Sequence, residues 1–214
     1  MTSEEDWRRW FEAYARFLLH DAELAECEGL DMLSVGCELK AATREREADW
    51  RVLLGRVREI YHGRLTYSAN WDEVFDVPFW DALDAIGVNA YFPLEAPTPA
   101  AWAPWVSRLA ELARRSGRPV VLTELGYPAS ADCTRKPLED PERAGGTEGE
   151  ACQARALDAA LAALWREPWV AGVFAWKWFP DPRRADDGRA FDLNGRAGAE
   201  VLRRRFRPRP GERR

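Results

Sequence analysis

Lysine is nearly missing from this chain. Lys40, Lys136 and Lys177 are the only three among 31 basic residues, and arginine supplies the rest. A bias of that kind reads as coding preference, not function. Histidine is equally scarce, with His20 and His62 alone, which argues against a histidine-built metal site. The four cysteines, Cys27, Cys37, Cys133 and Cys152, have no CxxC spacing. They lack the density of a disulfide framework, so free thiols in a reducing compartment are the expectation. No apolar run is long enough to span a membrane. The first ten residues, "MTSEEDWRRW", are acidic and amphipathic and contain no signal-type apolar core. The expected location is cytoplasmic for the chain as it stands, or secreted if a signal segment precedes it. The net charge of -5 offers no basic surface to nucleic acid or to an anionic membrane.

What is present fits a globular protein. The chain has 214 residues, 46% of them hydrophobic and 31% charged, enough for one domain with a real core. Eleven residues are tryptophan. Most of those belong in a core, but indole also stacks on flat ligand faces.

Periodicity predicts a helix over Glu4 to Cys27, where Trp7, Trp10, Phe11, Tyr14, Phe17, Leu18 and Leu24 recur at three and four. "LDMLSVGCEL" reads as a buried strand ending near Glu38. A helix is predicted from about Arg44 to Tyr61, with Gly63 as its cap. A strand follows over Arg64 to Asn70, then a short helix in "VPFWDALDAIG" and a strand in "AIGVNAYFPL" ending near Tyr91. A helix from about Ala101 to Ser116 leads to the strand "RPVVLTE". Pro128 to Glu150 reads as a long loop. Ala151 to Trp165 is predicted helical, "VAGVFAWKWF" is the last strand, and a final helix covers Ala197 to Arg205. The folded domain is expected to occupy residues 1–205, with a basic disordered tail over 206–214.

Strands alternating with helices imply parallel strands and crossover helices. The strands are apolar throughout, as expected when both faces are covered. An open doubly wound sheet and a (β/α)8 barrel both satisfy this pattern. The absence of a glycine-rich nucleotide-binding signature after any strand weakens the first.

Polar and aromatic groups gather at the strand ends: Glu38, Asn70 with Trp71, Tyr91, Glu124, and Trp176 with Trp178. In a parallel barrel these ends share one face, and active sites there are assembled from several of them. Two carboxyl groups and several flat rings suit a sugar. Rings stack on pyranose faces, and a carboxyl pair breaks an acetal. Each residue alone has a plainer reading, as a helix-start charge, a turn residue or a core ring. The agreement of five strand ends favours the functional one.

The segments "LSVGCELKAATR", "LTYSANWDEV", "PFWDALDAIGVNAYFPL", "VVLTELGYP", "VAGVFAWKWFP" and "FDLNGRAGAEVL" resemble glycoside hydrolase family 113. The resemblance runs from about Trp10 to Leu202. It implies a clan A TIM barrel, endo-β-1,4-mannanase activity and retention of configuration; no cofactor or metal is expected. By that resemblance Glu38, ending strand four, is the acid/base and Glu124, ending strand seven, is the nucleophile. Tyr91 would hold the nucleophile, and Trp176 would form the floor under the sugar at the cleavage point. Asn70, Trp71 and Trp178 would line the cleft, while Gln153 would be structural.

Two departures stand out. Many clan members carry Asn immediately before the acid/base, where this chain has Cys37, and a thiol is a poor replacement as a hydrogen-bond partner. The chain also begins inside what would be the third helix. The expected fold is therefore an incomplete barrel of about five strand–helix units, corresponding to strands four to eight of the eight. A longer true protein is the expected explanation, and the two open edges offer a route to self-association. The expected partner is a β-mannan or a manno-oligosaccharide. The alternatives are a non-catalytic or vestigial carbohydrate-binding fragment and a β-glucan-cleaving clan A hydrolase.

Overall fold

The computed structural model describes residues 3–139, 146–181 and 191–207. Five strands follow one another in the sheet in chain order, β1-β2-β3-β4-β5. The fold is α/β with a parallel sheet. The chain divides into two compact units, residues 1–88 with 113–120, and residues 89–112 with 121–214.

The first unit holds α1 (Glu4–Cys27), β1 (Met32–Cys37), α2 (Lys40–Glu45), α3 (Glu47–Arg58) and β2 (Arg64–Asn70). Helix α1 starts where the sequence predicts. The Ser3 hydroxyl accepts the Asp6 N–H at 3.1 Å, and Glu4, Glu5 and Asp6 place negative charge in the first turn. Its apolar stripe and that of α3 meet at Trp50, which is fully buried. Trp50 stacks on Phe79 at 5.4 Å and meets Phe11, Tyr14 and Tyr67 edge-on at 5.7–5.8 Å. Such ring pairs add to the area term that dominates core stability.

Gly36 makes this packing possible. A Cβ there would lie 3.0 Å from the Tyr67 ring and 3.1 Å from both Trp50 and the Tyr14 hydroxyl. Strand β1 pairs in parallel with β2, Met32 opposite Arg64 and Ser34 opposite Thr66. The register then slips, so that Cys37 faces Ser68. One extra residue on β1 is thereby accommodated, a bulge that twists the strand end just before Glu38.

The second unit includes β4 (Val120–Leu125, beginning at the division), α5 (Gly146–Leu164), β5 (Val170–Ala175) and α6 (Ala197–Phe206). Strand β3 (Ile86–Asn89) and helix α4 (Ala103–Ser116) straddle the division. Phe92 packs against Trp102 at 5.6 Å and Trp105 at 4.7 Å. Helix α5 presents a run of small residues, Ala156, Ala159 and Ala160 among them, to the interior. Asp158 anchors α6 by accepting from Arg204 and Arg205, both at 2.8 Å. The two arginines hold its carboxyl below the usual range.

Several expectations need correction. Residues 40–45 form a helix of their own, and α3 ends at Arg58, so Gly63 caps nothing. Gly63 instead yields space to Tyr61, whose hydroxyl would lie 2.0 Å from an added Cβ. "VPFWDALDAIG" gives only a 3-10 turn at Trp80–Ala82. Strand β3 ends at Asn89, before Tyr91, and β5 ends at Ala175, before both expected tryptophans. The loop after Pro128 is shorter than expected, because α5 begins at Gly146. Of the expected tail, Phe206 closes α6, and residues 208–214 lie outside the described residues.

The cysteine expectation is corrected as well. Cys133 and Cys152 form a disulfide, with Cα atoms 6.1 Å apart, while Cys27 and Cys37 remain thiols. The bond ties the segment after β4 to the first turns of α5, across 19 positions. Loop-closure entropy for such a span is about 3 kcal/mol. The double variant Cys133→Ser, Cys152→Ser should melt about 6–12 °C lower, at the scaling for chains of this size. A reductant should lower the melting temperature of the native chain by the same amount and leave the variant unaffected.

Candidate active site

The two carboxyl groups singled out by sequence lie in different units, and each has its own setting. In the first unit, Glu38 follows β1 directly and is exposed. Its φ is +55°, in the left-handed region that non-glycine residues seldom occupy. The backbone is pinned on both sides. The Glu38 N–H donates to the Ser68 carbonyl at 3.0 Å, and the Leu39 N–H donates to the Tyr67 hydroxyl at 2.6 Å. Cys37, just before it, is also exposed.

Asn70 closes β2, and its side-chain oxygen accepts the Trp71 N–H at 2.8 Å. Its carbonyl accepts from Glu73 at 2.9 Å and Val74 at 3.0 Å. The residue thus builds the turn that presents Trp71, which is half-buried. Asn70 is thus a turn former. Glu73, three positions on, is fully buried, and nothing in the sequence patterning drew attention to it.

In the second unit, Glu124 lies in β4 one residue before its end and is half-buried. Tyr91 is buried, and its hydroxyl donates to Glu124 Oε2. The backbone aligns the pair, since the Ala90 N–H donates to the Glu124 carbonyl at 2.6 Å. Beside it, Asn89 is fully buried and accepts the Thr123 hydroxyl at 2.8 Å. Asn89 was not identified from sequence, although its place at the end of a strand was the available signal.

The Gly-Tyr-Pro turn after β4 has a steric cause. A Cβ at Gly126 would lie 2.3 Å from the Trp176 carbonyl oxygen. The Trp176 N–H in turn donates to the Leu125 carbonyl at 2.9 Å. Glycine therefore lets the residue after β5 run against the end of β4, which brings Trp176 close in the chain path to Glu124. Trp176 and Trp178 are exposed at 39% and 53%. The Lys177 ammonium lies 5.6 Å from the Trp176 ring centroid. The peptide between Trp176 and Lys177 is cis.

Tyr127, next in the turn, is buried, which pushes its phenol pKa well above the ordinary range. It donates to the Phe92 carbonyl at 3.1 Å. Gln153 donates to the Tyr127 carbonyl at 3.0 Å and to the Asp192 carbonyl at 3.5 Å. That contact makes Gln153 a brace for the turn, as the sequence suggested. Among the described residues, no cluster of His, Cys, Asp or Glu is arranged to hold a metal, and no helix is long and apolar enough to cross a membrane.

The pattern of glycoside hydrolase family 113 matches residues 1–195. No curated protein matches the chain. Among solved structures, a family 113 β-1,4-mannanase solved as a complex is 27% identical, with a TM-score of 0.82 over 95% of this chain and 64% of its own. The family 113 β-mannanase from Alicyclobacillus acidocaldarius, in complex with ManMIm, is 32% identical. Its TM-score is 0.79 over 93% of this chain and 62% of its own. The chain thus spans less than two thirds of the length of these relatives. A β-glucuronidase from Faecalibacterium prausnitzii, 14% identical, shares the fold alone at a TM-score of 0.65, covering 91% of this chain and 34% of its own.

The close passage at Gly126 gives a test of the site's framework. Gly126→Ala should cost about 1–3 kcal/mol, as overpacking does, because the atom that must yield is backbone. Thermal unfolding reads the loss directly. An unchanged melting temperature would mean that Trp176 does not pass where the structure puts it.

Proposed function

The chain belongs to glycoside hydrolase family 113, and on that premise we propose that it carries the catalytic machinery of a retaining hydrolase of β-1,4-mannosidic bonds. The observation that carries this reading is the Tyr91 hydroxyl donating to the Glu124 carboxyl at the end of β4. A hydroxyl held to the carboxyl fixes its direction, as a group aimed at an anomeric carbon needs.

In this mechanism Glu124 attacks the anomeric carbon and forms a glycosyl-enzyme ester. Glu38 protonates the departing glycosidic oxygen, then takes a proton from the water that hydrolyses the ester. The net retention follows from two inversions. Retaining chemistry requires the two carboxyl groups to stand about 5–5.5 Å apart when the sugar is bound. Trp176 would stack under the sugar at the cleavage point, and Asn70, Trp71 and Trp178 would line the cleft. The five strands would correspond to strands four to eight of an eight-stranded barrel. The substrate reading, mannan or manno-oligosaccharide, is supported by the β-mannanases that this chain resembles.

Release of sugars from β-1,4-mannan and mannohexaose, followed by NMR of the first-formed anomer, tests the proposal. The β-anomer should appear first. Glu124→Ala should abolish release, and Tyr91→Phe should lower kcat by up to about a hundredfold with little change in KM, as loss of positioning does. Inertness on mannan with activity on β-glucan would move the substrate, not the mechanism. Full activity of Glu124→Ala would overturn the mechanism.

A further inference from the structure

Glu73 is, among the described residues, the most deeply buried carboxyl that the proposed chemistry leaves unused. It is fully buried. Its Oε1 accepts the Thr43 hydroxyl at 2.7 Å and the Tyr67 hydroxyl at 2.8 Å, and its Oε2 accepts the Asn70 N–H at 3.4 Å. Among the described residues no arginine, lysine or histidine pairs with it. Burying a carboxyl among neutral donors is costly, and sequences keep such a group when it organises something.

What it organises is the backbone at Glu38. The Tyr67 hydroxyl has a single proton, and that proton goes to Glu73. Its oxygen is therefore free to accept the Leu39 N–H, which it does at 2.6 Å. The residue before Leu39 is the one at φ +55°. A non-glycine side chain in that region is strained, and such strain persists only where the surroundings over-determine it. Without Tyr67, the peptide after Glu38 would lose the side-chain bond that fixes its N–H. Burial, and then the charge of Glu73, drive the Tyr67 phenol pKa far above its ordinary value. The hydroxyl thus stays a donor at any working pH.

We propose that Tyr67 and Glu73 are positioning residues for Glu38. Their relay holds the backbone after β1 in its left-handed conformation and so aims the Glu38 carboxyl from behind, without touching the sugar. This inference rests on Glu38 being the acid/base, and it extends that reading to two residues outside the cleft.

A leaving-group comparison separates positioning from general damage. A manno-oligosaccharide departs as a poor leaving group and needs the proton from Glu38. The dinitrophenolate of a 2,4-dinitrophenyl β-mannoside departs without it. Tyr67→Phe and Glu73→Leu should lower kcat/KM on mannohexaose by about tenfold to a hundredfold and change it less than threefold on the aryl mannoside. Glu73→Gln keeps an oxygen that can accept from Tyr67, and should retain most of the native rate. Equal losses on both substrates, or none on either, would overturn the proposal.

A stability cycle decides the matter independently of activity. Glycine relieves strain at positive φ, so Glu38→Gly should raise the melting temperature by about 2–4 °C in the native background. In the Tyr67→Phe background that gain should vanish, because the strain is already released. An identical gain in both backgrounds would overturn the relay. If Tyr67→Phe fails to fold, Glu73→Leu takes its place in the same cycle. Failure of the functional reading has a different signature. Glu38→Ala would then show no dependence on leaving group while the stability coupling remained.

Discussion

Tyr67 joins the core of the first unit to its candidate carboxyl. Its ring is one of the aromatics packed on Trp50, and its hydroxyl lies between the Leu39 N–H and the Glu73 carboxyl. The ring cannot move without disturbing Trp50, Phe79 and Trp80. Core packing tolerates little displacement, so the hydroxyl is fixed as firmly as the core. Gly36 belongs to the same arrangement, because any side chain there would press on the Tyr67 and Trp50 rings together. The chain can then turn at Glu38 with a backbone that an isolated peptide would avoid. The energy of that turn is supplied by packing several residues away, in helices and strands whose own sequence carries no catalytic signal.

The second unit fixes its carboxyl by a different route. Glu124 stays within the regular ladder of β4, and its side chain is held by the hydroxyl of Tyr91. No backbone strain is needed. The constraint lies in the turn that follows, where Gly126 admits the Trp176 carbonyl, Tyr127 reaches the Phe92 carbonyl, and Gln153 holds Tyr127 in place from α5. The disulfide at Cys152, one residue from Gln153, ties the same helix turn to the segment after β4. A short motif of sequence, Glu-Leu-Gly-Tyr-Pro, is thus the visible part of a brace drawn from the segment after β5, α5 and the segment before α6.

Much of this was legible in the sequence because it follows from periodicity. The three-and-four spacing of Trp7, Trp10, Phe11 and Tyr14 marks α1 almost to the residue, and β2 ends at Asn70 as its apolar run does. The polar strand ends identified Glu38, Tyr91 and Glu124, and the last two are in contact. What was not legible depends on residues distant in sequence. Cys133 and Cys152 carry no local sign that they meet. Glu73 reads as an ordinary charge after a turn, yet it is fully buried, because Thr43 and Tyr67 arrive from elsewhere. The early start of α5 was hidden by glycines and charges in "GTEGE", which propensity disfavours and tertiary packing overrides. Trp176 and Trp178 were assigned to a strand that stops before them, since an apolar run does not show where a ladder ends.

The contrast between the two carboxyl groups bears on the roles proposed for them. A nucleophile must be aimed at one carbon and must not wander. A half-buried side chain held by a buried phenol meets that need, and Glu124 is so held. An acid/base must give a proton to one oxygen and later take one from water, so it needs solvent access and a direction but not a fixed partner. Glu38 is exposed, and its backbone is held in the left-handed region. Exchanging the roles would leave the nucleophile exposed. It would also leave a general acid whose carboxyl is already engaged by a tyrosine. The difference in exposure is consistent with the allocation that the family resemblance implies.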